Sequence, residues 1–156
     1  MSIEQLIRRA FEAFAPDAST RPAMSLRGGD AADSYDEPPP FDAALDAITD
    51  DYLCRYTWGV GYLDPASWRH YLPHMIEHAL RNHARGSDVA DALLNSLRPP
   101  DREPSRLASL STEQEAVVVE VLDFLAFAPD SRHQDLACQV LEEWWVPGAL
   151  YRKPST

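Results

Sequence analysis

Apolar residues recur at steps of three and four along nearly the whole chain, and prolines cut that pattern into lengths. A period near 3.6 admits helices and leaves no room for the strict alternation of half-buried strands. Ile3, Leu6, Ile7, Ala10, Phe11 and Phe14 form one stripe, with Ser2 as N-cap and Pro16 as stop. A second helix is expected from about Asp42 to Leu53, burying Leu45, Ile48 and Tyr52. Asp64 caps a third helix with Pro65 at its first position, where a missing N–H costs nothing. Trp68, Tyr71, Leu72, Met75, Ile76, Ala79 and Leu80 supply its core stripe, and Pro73 inside it predicts a kink or break near Arg69 and His70.

Gly86 stops that helix, and Ser87 or Asp88 starts the next, which ends at Pro99-Pro100. Residues 99–110 read as a Pro- and Arg-containing connection. Ser111 and Gln114 spell a capping box at the head of a helix to about Phe127, apolar nearly all round and so expected at the centre. Pro129 breaks it, and Asp130 caps a last helix to Trp144 or Trp145, which anchor it in the core. Pro147-Gly148 ends the fold, leaving a frayed tail at 151–156. The expected fold class is all-α: a single-domain bundle of five or six helices over 1–150. Residues 15–40, with Gly28-Gly29 and Pro38-Pro39-Pro40, read as a long irregular acidic and Pro-rich loop, and Tyr56–Tyr62 as a short extended piece or tight turn.

At 156 residues the chain has the size of one domain and can bury a core without staples. Its two cysteines, Cys54 and Cys138, make no disulfide framework and read as half-buried free thiols. The start, with Glu4 and the Arg8-Arg9 pair, lacks the order of a secretory signal, and no apolar run is long enough to span a bilayer; a cytoplasmic protein is expected.

Net charge is −11, and it is unevenly spread. Residues 1–51 carry −7, residues 52–106 carry +1, and residues 107–156 carry −5. Between Gly28 and Asp51 there are eight acids and no Lys or Arg. Such a field repels nucleic-acid phosphates and anionic lipid and attracts a basic protein surface. Asp30, Asp33, Asp36, Glu37, Asp50 and Asp51 are the expected contact residues, with Tyr35 and Tyr52 as aromatic anchors.

Leu63-Asp64-Pro65, Trp68 and Tyr71-Leu72-Pro73, with the apolar helix to Leu97, resemble the Leu-(Ser/Asp)-Pro-x-x-aromatic and Tyr-Leu-Pro pattern of an uncharacterised family of small bacterial proteins. The likeness extends more loosely to Ser111–Gln114 and to a tryptophan near the end, and the chain departs from it at 15–40. The resemblance implies an all-helical fold and no particular activity.

His74-Met75-Ile76-Glu77-His78 spells H-x-x-E-H, the order of one class of zinc peptidases. On a helix, His74 and His78 share a face, His70 extends the stripe, and Glu77 is placed as general base. Glu120, Glu142 or Glu143 would have to complete the ligand set. Pro73 disturbs the register, and the sequence reading favours a polar helix face without metal or cofactor. No phosphate-binding Gly loop and no nucleophile elbow are present.

The function expected from these features is a non-catalytic interaction module, an immunity protein that neutralises a bacterial toxin through an acidic surface. The alternatives are a regulatory or structural helical module without a toxin partner and a small zinc hydrolase using His74, His78 and Glu77. The expected partner is a basic protein rather than nucleic acid or membrane, and homo-oligomerisation stays open.

Overall fold

The computed structural model describes residues 1–99 and 105–152. Among these, the chain is all-helical. The six expected helices are present as α1 (Ile3–Ala13), α4 (Asp50–Arg55), α5 (Pro65–Arg81), α6 (Asp88–Ser96), α7 (Thr112–Phe127) and α8 (Gln134–Val140). Two more, α2 (Ala15–Ala18) and α3 (Leu26–Asp33), lie in the segment expected to be irregular. Residues 100–104 of the expected 99–110 connection and residues 153–156 of the tail fall outside the described residues.

The caps are where the sequence puts them. Ser2 and Ser111 each close a capping box, with Gln5 and Gln114 returning the bond. Asp64 accepts from the Ser67 amide, with Pro65 opening α5, and Ser87 accepts from the Ala90 amide at the head of α6.

Several expectations need correction. Residues 15–40 are not one loop, because Ser25 caps α3 and Leu26 is buried behind it. The residues from Asp42 form a turn instead of a long helix: the Asp42 carboxylate takes the amides of Ala44 and Leu45, Leu45 is exposed, and the helix starts only at Asp50 under a Thr49 cap. Tyr56–Tyr62 is neither extended nor a single turn; Thr57–Tyr62 winds as a 3-10 helix. Pro73 does not break α5, which runs through it as 17 residues; the ring removes one ladder bond, and burial of the surrounding stripe holds the helix together. The last helix starts at Gln134 instead of beside Asp130, and ends in a π-type turn, Leu141–Trp145.

The core is one cluster, and its centre is α5 rather than α7. Eleven of the 17 residues of α5 are buried against seven of the 16 of α7. Trp68, Tyr71, Leu72, Met75, Ile76 and Leu80 meet Leu6, Ile7 and Phe14 of the first turns and Leu93, Val118 and Leu122 of the later helices in the same cluster. Trp68 donates to Ser96, and Trp145 donates to the Leu97 carbonyl, which ties the chain's end to α6. Trp144 is only half-buried, with the Arg152 guanidinium over its ring.

The 3-10 turn Thr57–Tyr62 is held from two sides. The buried Arg106 guanidinium donates to the carbonyls of Val60 and Leu63. On the other side α3 lies directly on the turn at Gly29 and Gly59. No helix among the described residues is long and apolar enough to cross a membrane.

Candidate acidic docking face

The expected contact residues do not all stand in one environment. Asp33, Tyr35, Asp36 and Glu37 are exposed at the end of α3, and Asp30 is half-buried behind them. Tyr35 is 99% exposed and its φ is 62°, a left-handed conformation that ordinarily falls to glycine at a helix end. The Asp36 amide reaches back to the Ala31 carbonyl, so this strained tyrosine closes α3.

Asp50 and Asp51 are exposed in the first turn of α4. Tyr52 is not the surface anchor the sequence suggested. It is 6% exposed, and its hydroxyl donates to Asp46 at 2.8 Å. Burial pushes that hydroxyl well above its ordinary range. Asp46 likewise leaves the acidic surface: its side chain is fully buried and accepts from Arg27 Nε and Nη2, both at 3.0 Å, and from the Asp42 amide. Burial alone would raise this carboxyl, but the Arg27 guanidinium, the Asp42 amide and the Tyr52 hydroxyl outweigh it and hold it below the usual carboxylate range.

An open cleft of about 770 Å³ adjoins the end of α3, between the 3-10 turn and α6. Asp33, Asp88 and Asp91 line it with carboxylates, and Trp58 and Tyr62 with aromatic rings. Trp58 is 68% exposed, and Tyr62 donates to Asp33 at 3.1 Å. Arg98, also on the lining, is paired with the buried Glu143. Carboxylates beside the exposed Trp58 ring suit a guanidinium or ammonium group, which gains charge-assisted hydrogen bonds and cation–π attraction together. The sequence reading missed Trp58, Asp88 and Asp91. Their signal was the aromatic, glycine-broken Tyr56–Tyr62 run and the two acids one turn apart at the head of α6.

The histidines of α5 do not form the polar face expected of them, and they turn to separate partners. His70 and His78 are buried. His70 bonds the Asp17 carbonyl, His74 meets Phe11 edge-on at 5.0 Å, and His78 bonds Asp50. Burial, with His70 nearby, holds His74 below its ordinary range. Glu77 pairs with Arg81, Glu120 with Arg9, and Glu143 with Arg98. Among the described residues no three His, Cys, Asp or Glu side chains converge on a metal position.

His78 makes a different arrangement. Its Nδ1 lies 2.8 Å from Asp50 Oδ1, and its Nε2 lies 4.0 Å from Cys54 Sγ. Asp50 and Cys54 are one turn apart on α4, so one helix face presents both to the same ring. Cys54 is exposed, not half-buried as expected; Cys138 is the half-buried thiol.

No curated protein and no solved structure matches this chain. A family profile matches residues 1–149, and the chain belongs to DUF6714, a family of unknown function.

Proposed function

We propose that this chain is a non-catalytic interaction module that binds a basic protein through the face running from Tyr35 to the Asp88–Asp91 cleft. The observation that carries the reading is the cleft itself, where the exposed Trp58 lies on one lining with Asp33, Asp88 and Asp91. Interface cores favour aromatic rings, and carboxylates around them speed association with a cation and reject anions. The strain accepted at Tyr35 supports it, since a fully exposed tyrosine gains nothing from the fold at that position. The net charge of −11 adds long-range attraction of the same sign.

Within this reading, the partner is a bacterial toxin and the chain is its cytoplasmic immunity protein. The test has two steps. The wild-type chain and an Asp33→Asn, Asp88→Asn, Asp91→Asn variant are used in parallel to capture proteins from the source cells. The wild type retains a basic protein that added salt releases and that the variant loses; equal capture by both contradicts the docking face. Expression of the captured protein alone then arrests growth, and co-expression of this chain restores it. A harmless partner leaves the docking face standing and removes the immunity role.

A further inference from the structure

Cys54, His78 and Asp50 stand in the order of a nucleophile, a base and the group that orients the base. The Asp50 carboxylate can only accept, so His78 Nδ1 carries the proton in that 2.8 Å bond. The other ring nitrogen, Nε2, then offers its lone pair to the Cys54 thiol at 4.0 Å. The imidazole is 8% exposed and the thiol is open to solvent, so the ring is fixed and the sulfur is reachable. Asp50 and Asp51 of α4, Asp88 at the head of α6 and Arg85 of the loop between α5 and α6 act on the sulfur, and Arg55 follows it on α4. Three carboxylates against the two guanidinium groups leave an excess of negative charge that favours a cationic reagent over an anionic one.

We propose that Cys54 is a modification site for small cationic disulfides, with His78 as its general base and Asp50 as a positioning residue. The Cys54 proton passes to His78 Nε2, and the sulfur attacks one sulfur of the disulfide. The S–S bond breaks, and the departing thiolate takes the proton from the imidazolium. The products are a mixed disulfide on Cys54 and one free thiol. Cys54 is oxidised and the reagent is reduced by the same electron pair. Partial desolvation and the neighbouring carboxylates hold the thiol above its ordinary range, which disfavours a free thiolate and leaves removal of the proton to the base.

The experiment follows mixed-disulfide formation on the full chain by mass spectrometry, with Cys138 as internal reference. The reagents are cystamine (cationic), hydroxyethyl disulfide (neutral) and oxidised glutathione (anionic), each scaled to its rate with a free cysteine peptide. Cys54 reacts with cystamine about tenfold faster than with oxidised glutathione. With the neutral reagent, where the altered charge matters little, His78→Gln slows Cys54 about tenfold or more. Asp50→Asn slows it as well, and Asp50→Glu restores it. His78→Gln keeps a donor for Asp50, so α4 stays docked, and an unchanged Cys138 rate reports an intact fold. Should that rate rise in a variant, His78→Asn and Asp50→Glu carry the comparison. A Cys54 rate indifferent to reagent charge, or unchanged by His78→Gln in a folded chain, overturns the proposal.

Discussion

The backbone of Gly29 rests directly on the backbone of Gly59. A β-carbon built on Gly29 would lie 2.9 Å from the Gly59 Cα, and one built on Gly59 would lie 2.8 Å from the Asp30 amide nitrogen. Real β-carbons do not come that close to a rigid backbone. The two glycines therefore let α3 press onto the 3-10 turn, and that contact sets Asp33 of α3 against Tyr62 of the turn. Both residues belong to the proposed docking face.

Gly29→Ala and Gly59→Ala should each destabilise the fold by about 1–3 kcal/mol, because backbone must move on backbone to make room. Gly61→Ala, with open space around its β-carbon, should be close to neutral. Urea denaturation of the three variants separates the close-packing account from a general intolerance of this turn.

The Asp46 network predicts an acid-sensitive contribution to stability. Its carboxyl lies below its ordinary range in the fold, so the ionised form favours folding above about pH 4. The contribution is lost as the pH falls through the lower folded value. Asp46→Asn leaves Arg27 without its carboxylate and should cost about 3 kcal/mol at pH 7. The same variant should show a flatter stability curve between about pH 5 and pH 2 than the wild type, by denaturation at each pH.

Tyr35→Gly should raise stability by up to about 1 kcal/mol, since glycine adopts the left-handed conformation without steric cost. The same substitution should weaken binding of the basic partner. A thermal melt and a binding isotherm on one variant check both halves; a gain in stability with no loss of affinity would leave Tyr35 outside the docking face.

The helices with strong local signals were legible in the sequence. Ser111 with Gln114, and Asp64 with Pro65, place α7 and α5 because capping is decided within one turn. α3 was not legible. Gly28-Gly29 argues against a helix locally, and only the meeting with Gly59 gives those glycines a purpose. Tyr52 and Asp46 show the same limit: the charge pattern marked an acidic surface, yet Arg27 draws Asp46 inward and Tyr52 follows it. His78 was visible in an H-x-x-E-H spelling, while its real neighbours, Asp50 and Cys54, carried only their four-residue spacing as a clue.

Amide hydrogen exchange of this chain, free and with its captured basic partner, tests the docking face most directly. The account predicts protection over residues 33–37, 57–62 and 88–95, with the surface of α1 and α7 unchanged. Protection confined to α1 and α7, with the cleft exchanging as in the free chain, would contradict it.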